Sequence, residues 1–244
     1  MGEEERMSHD VEEILTELQQ LAEDEEWEKT RRRVPEELEI VGVRMKHVFD
    51  LAARVERQRQ PVGDLVPQLL TCPDYERRMV GISILDFRAR RRLTAQERAE
   101  LAGIYLDHHD QLVVWDLVDR AAPRVIGAHL SLDHPPEARR AQLVALADSP
   151  DPMRRRTAVT ATFWMVRQGD CDDALHLAER LAADTSERVA QPIGTALREV
   201  GKVDQDRLVA FLREQASRLQ RVSIRFAVER LPQELREEFV PPRR

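Results

Sequence analysis

The sequence predicts an all-α solenoid built from paired antiparallel helices. Composition points there first. Aromatic residues make up 5% of the 244-residue chain and glycine contributes only 9 residues, while Leu, Ala, Arg and Glu, which lose little side-chain entropy in a helix, dominate. Strand signals are scarce, with few runs of alternating Val, Ile, Thr or Tyr between turn clusters. The third observation is a period. YERRMVGISIL, VVWDLVDRAAPRVIG, MRRRTAVTATFW and AQPIGTALREVG begin about 37–40 residues apart, near the spacing of HEAT and armadillo repeats. Each contains charged or polar groups and continues into small and apolar ones.

Residues 8–28 read as one amphipathic helix with Val11, Ile14, Leu15, Leu18 and Leu21 on a stripe. Ser8 is its expected N-cap, and Glu12 falls in the first turn, where negative charge is favoured. Pro35 and Gly42 break RRRVPEELEIVGVRM, and a second helix is predicted over 45–57. Beyond it, short Pro, Asp or Gly punctuation separates helices at about 62–71, 73–90, 94–108, 110–125, 135–148, 151–168, 171–184, 186–201, 204–215 and 217–230. LPQELREEF forms a short last helix before the PPRR tail. Residues 1–40 are therefore expected to be an acidic helical segment packed on the solenoid, and 41–244 the HEAT-like repeat domain, in one domain overall.

A net charge of −7 weighs at first sight against a nucleic-acid partner. The distribution reverses that. Residues 1–40 hold 15 acidic and 5 basic side chains, which leaves 30 acidic and 33 basic for the rest, a net of +3. The body permits DNA binding without requiring it. No apolar run approaches the ~18 residues of a membrane span, and MGEEERMSHD has neither the basic nor the apolar region of a signal peptide. A soluble, cytoplasmic protein is expected, with Cys72 and Cys171 as reduced thiols. No metal or cofactor is expected: His108-His109-Asp110 reads as a helix end because adjacent histidines diverge. Neither a phosphate loop nor G-x-S-x-G occurs.

Stacked repeats would align Arg77 and Arg78, then Trp115 and Asp119, then Arg156, then Thr195 and Arg198, as a strip on a concave face. Trp115 and Asp119, four apart, point the same way from one helix. Arg154, Arg155 and Arg156 open a helix whose dipole they oppose, a placement that suits an anionic partner. The structural alternatives are a Trp115 in the core, an Asp116 or Asp119 paired with Arg120 or Arg124, and a solvated arginine run. Phe163 and Trp164 are expected to pack between repeats.

At WDLVDRAAPRVIGAHL the sequence resembles the AlkD family of bacterial DNA alkylation-repair proteins, of which W-D-x-V-D is the most distinctive signature. GVRM at 42–45, SPDPMRRRTAVTATFWMVRQGD at 149–170, QPIGTALREVGK at 191–202 and RFAVERLP agree in order, so the resemblance covers the body from about residue 41. It implies HEAT-like repeats with a concave DNA-binding face. It also implies a DNA glycosylase that excises cationic N3- and N7-alkylated purines from duplex DNA without flipping the nucleotide, as a monomer without metal or cofactor. Trp115 and Asp119 take the two catalytic places of the motif. Arg156 matches the DNA-contacting arginine that organises the site, and Arg154 and Arg155 flank it. Arg198 and Lys202 match positions facing the DNA backbone. Two residues depart: Thr195 stands where the family has Trp in G-W-x-L-R-E, and Met153 where Trp is common. Thr195 removes one wall of the aromatic cleft, which weighs against small methyl adducts and suits bulkier ones. The alternatives are a non-catalytic binder of damaged or branched DNA and a protein-interaction scaffold.

In such an enzyme a cationic purine leaves without protonation. A carboxylate such as Asp119 stabilises the oxocarbenium-like sugar and orients water. The Trp115 ring offers an electron-rich face worth about 0.5–2 kcal/mol, and Arg156 holds the adjacent phosphate.

Overall fold

The computed structural model describes residues 3–58 and 63–240, with side chains from Asp10 onward; the PPRR tail and the start of the helix predicted at 62–71 lie outside the described residues. The described chain is helical, and within it only two isolated bridges, Ala22 to Val43 and Glu39 to Asp74, have β geometry. Two compact units divide it, 1–121 and 122–244.

The N-terminal unit begins with α1 (Glu3–Gln20) and α2 (Asp24–Arg31). These replace the single helix predicted over 8–28. Ser8 lies inside α1, which starts five residues earlier than expected. Val11, Ile14 and Leu18 are buried as the stripe requires. The helix stops because the next backbone groups have partners elsewhere: the Glu23 amide donates to the Gly42 carbonyl at 2.8 Å, beside the Ala22–Val43 bridge. Gly42 has a φ of 92°, and a Cβ there would come within 2.8 Å of the Trp27 Cβ, so glycine is required on both counts. The irregular strap at 41–43 buries three amides that no helix satisfies, and the Glu76 carboxylate accepts all of them, from Val41 (2.9 Å), Gly42 (2.9 Å) and Val43 (3.3 Å). Burial pushes the Glu76 carboxyl above its usual range against the pull of these donors.

Next come α3 (Met45–Gln58), α4 (Leu65–Leu70), α5 (Tyr75–Ala89) and α6 (Ala95–Asp107). Asp74 caps α5 by accepting from the Arg77 amide, and Thr94 with Glu97 makes a capping box on α6. Almost every residue of α5 from Tyr75 to Asp86 is buried, because α3, α4 and α6 all pack on it. The predicted helix 110–125 is divided. A 3₁₀ turn covers His109–Gln111 and α7 (Trp115–Ala122) starts afresh at the W-D-x-V-D motif. Pro123 has no N–H for the carbonyl four residues back, and the turn opens into a π-helical segment at Pro123–Gly127.

The C-terminal unit continues with α8 (Ala128–Asp133), α9 (Pro136–Ala147), α10 (Pro152–Arg167), α11 (Asp172–Arg180), α12 (Glu187–Val203), α13 (Gln205–Gln215), α14 (Arg221–Ala227) and α15 (Gln233–Phe239). Here α10 is the helix buried nearly all round, packed on the π segment, α9, α11 and α12. Its internal Thr160 and Thr162 return their hydroxyls to the Arg156 and Val159 carbonyls at 2.9 and 2.6 Å, so no hydroxyl is left unsatisfied there. Two glycines set helix approach. A Cβ at Gly127 would lie 2.3 Å from the Ala161 carbonyl oxygen, and one at Gly194 would lie 2.5 Å from that of Ser223. Phe163 and Trp164 are half-buried on α10.

Candidate functional site

The candidate residues fall on three helices, one in the N-terminal unit and two in the C-terminal unit. In the first, α7 opens at Trp115 itself. Trp115 is 45% exposed, and Asp119, one turn on, is half-buried. An indole in the core is therefore ruled out. Leu117, Val118 and Ala121 bury the opposite side of α7.

The flanking pair, Asp116 and Arg120, anchors the helix. Asp116 Oδ2 accepts from the Tyr75 hydroxyl at 2.7 Å and from Arg33 Nη1, and burial drives the carboxyl above its usual range although Arg33 and Tyr75 pull it down. Arg33 also donates to the Tyr75 hydroxyl at 2.9 Å, with its guanidinium 4.8 Å over the ring. Arg120 donates to Ser83 Oγ at 3.0 Å and pairs with the fully buried Asp86 at 3.2 Å. Its guanidinium lies between Phe49 and Phe87, 4.2 and 4.8 Å from the ring centroids. The pairing sequence considerations allowed between Asp116 and Arg120 is thus replaced by two separate anchors. Arg33 lies 83 residues before its partner, and no local pattern announces it.

Arg77 and Arg78, expected on an open strip, are turned to structural use within the same unit. Arg77 is buried against Asp74, with 2.5 Å between Nε and the carboxylate. Arg78 donates to the Cys72 carbonyl at 2.6 Å and to the Gln111 carbonyl at 2.9 Å. Backbone carbonyls at the ends of α4 and of the 3₁₀ turn needed donors, and arginine supplied them.

In the C-terminal unit, Arg154, Arg155 and Arg156 occupy the first turns of α10, behind the N-cap Asp151. Their opposition to the helix dipole is offset locally, since Arg155 pairs with Asp184 at 2.6 Å and donates to the Ser149 and Pro150 carbonyls at 2.9 Å. Arg154 is half-buried. Arg156 is only 4% exposed, and its Nη1 donates to the Arg188 carbonyl at 2.7 Å. The cause lies on α12. Pro192 stands four residues after Arg188 and cannot give that carbonyl its helical hydrogen bond, so the arginine of the neighbouring helix does. Along α12, Thr195 is half-buried, Arg198 pairs with Glu229 at 2.5 Å, and exposed Lys202 pairs with Glu199 at 2.6 Å. Met153, at a position where the resembled family often has Trp, is in the core. The structure thus brings Arg156 against the helix carrying Thr195, Arg198 and Lys202, and joins Trp115 to Asp119 on α7.

No helix among the described residues is long and apolar enough to cross a membrane. No curated protein matches the chain at a significant level. A solved structure titled "Predicted DNA alkylation repair enzyme from Enterococcus faecalis" has a TM-score of 0.70 at 13% identity, over 87% of this chain and 97% of that one, a likeness of fold. The profile of the family described as DNA alkylation repair enzyme matches residues 14–231. The chain belongs to that family, and with it to the repair of alkylated DNA.

Proposed function

We propose that the protein is a DNA glycosylase hydrolysing the N-glycosidic bond of cationic N3- and N7-alkylated purines in duplex DNA, as a monomer and without flipping the base. The observation that carries the reading is the opening turn of α7, where an exposed indole and a half-buried carboxylate one turn apart stand on an anchored helix. Alkylation at N3 or N7 makes the base a cationic leaving group, so the enzyme's task is the sugar. Asp119 stabilises the positive charge that develops on the deoxyribose and orients water toward C1′. Trp115 lays its electron-rich face against the same cation. Arg156 contacts a phosphate in an orientation held by the Arg188 carbonyl. Arg154, Arg155, Arg198 and Lys202 engage the DNA backbone, Arg198 and Lys202 exchanging their carboxylate partners for phosphate. Thr195, smaller than Trp, favours bulky adducts over methyl groups.

Release of free base from duplexes carrying N7-methylguanine or a bulky N3-adenine adduct tests this. Asp119→Asn is expected to slow release by about 10²–10³-fold, with DNA affinity little changed. Wild-type protein that frees no base from either duplex would sink the reading. A second reading, a non-catalytic binder of distorted DNA, is favoured by Thr195. It predicts salt-sensitive binding with no base in the supernatant.

A further inference from the structure

We propose that Arg33, Tyr75 and Asp116 form a positioning triad that holds the first turn of α7, and with it Trp115 and Asp119, in the geometry the reaction needs; this rests on the glycosylase reading above. Trp115 and Asp119 are one pair four residues apart, and Asp116 and Arg120 are a second pair displaced by one residue. Whatever fixes the second pair fixes the first. Trp115 is 45% exposed, and the backbone beneath it sets the direction in which its ring leaves α7.

A single carboxylate oxygen does this for three segments. Asp116 Oδ2 gathers the Tyr75 hydroxyl from the start of α5 and the Arg33 guanidinium from just after α2, and Arg33 closes the triangle on the same hydroxyl. Tyr75 is itself fully buried, and its hydroxyl lies 3.7 Å from Met45 Sδ, so the anchor cannot drift. Stability alone does not explain the arrangement. An acidic residue in the first turn of a helix is favourable while solvated, whereas a partly buried ion pair such as Arg33–Asp116 gives up hydration that its mutual attraction must offset. Asp116 is half-buried with its Oδ1 withdrawn from solvent, which costs desolvation. What this partial desolvation secures is position, as the groups supporting a reacting pair must. The triad also gives Arg33, within the acidic segment 1–40, a task in the chemistry.

The experiment compares wild type with Tyr75→Phe, Asp116→Asn and Arg33→Lys. Tyr75→Phe keeps the buried ring and removes only the hydroxyl. Single-turnover base release at saturating enzyme is expected to fall about tenfold to hundredfold, the cost of misplacing reacting groups by about an ångström, while the DNA dissociation constant stays within about threefold. In a Trp27→Phe, Trp164→Phe background, acrylamide quenching and anisotropy of the remaining Trp115 should report a looser indole in each variant. A Tyr75→Phe protein that is folded, releases base at the wild-type rate and leaves Trp115 quenching unchanged would overturn the inference, whatever happens to its melting temperature. If wild type releases no base, the glycosylase reading fails, and Trp115 quenching decides the positioning claim by itself.

Discussion

The helices carrying the candidate residues meet the same local problem in two ways. Proline occurs four residues after Asp119 in one region and four residues after Arg188 in the other, and each deprives a helical carbonyl of its usual donor. In the N-terminal motif the helix opens into a π segment after α7, and long-range polar contacts to Asp116 and Arg120 hold the turn before it. In the C-terminal unit α12 stays α-helical, and Arg156 reaches across from α10 to supply the donor. The contrast extends to charge. Around α7, Asp116 and Arg120 are sequestered with buried partners, while Arg198 and Lys202 pair with carboxylates at a wet surface. Buried pairs fix a shape; exposed pairs are held weakly enough to be traded for another anion. The same residue types therefore fix geometry in one region and form exposed pairs in the other, which the proposed function uses for exchange.

The proline comparison can be broken by a double-mutant cycle. Arg156→Ala leaves the Arg188 carbonyl without that donor and should lower stability by about 1 kcal/mol in urea titrations. Pro192→Ala restores an amide for that carbonyl, so the double variant should recover a good part of the loss. If base release recovers alongside stability, Arg156 serves only the fold; if it stays low, the phosphate contact is real.

A comparable effect sharpens the packing side. Gly194→Ala puts a methyl group where α12 meets the Ser223 carbonyl at 2.5 Å, and Gly127→Ala does the same against Ala161 at 2.3 Å. Each should cost about 1–2 kcal/mol and lower the melting temperature. Gly103→Ala in the N-terminal unit, with nothing near its added methyl, should not. Equal loss at all three positions would mean that close helix approach is not what these glycines permit.

The smallest effect concerns exchange. Glu229→Gln removes the closer of the two carboxylates beside Arg198, leaving Glu199 at 3.5 Å, and should tighten binding to undamaged duplex DNA by about threefold at low salt, a gain that fades at high salt. Unchanged or weaker binding across the salt range would show that Arg198 is not a phosphate ligand.

Much of this could be read from the chain itself, because helix propensity, caps and repeat spacing act over a few residues. Leu, Ala, Arg and Glu in abundance, with Pro, Asp and Gly between them, specify a succession of helices, and a spacing of four puts Trp115 and Asp119 on one face by helix geometry alone. The break after Gln20, the fresh start of α7 at Trp115, the inward turn of Arg77 and Arg78 and the Arg33–Tyr75–Asp116 triad depended on tertiary structure. Arg77 meets the nearby Asp74, but Glu23 meets Gly42, Arg78 meets Gln111 and Asp116 meets Arg33, partners that lie far along the chain. Local spacing records which way a side chain leaves its helix, but which buried donor meets which acceptor is settled only when distant segments pack and every polar group excluded from water must be answered.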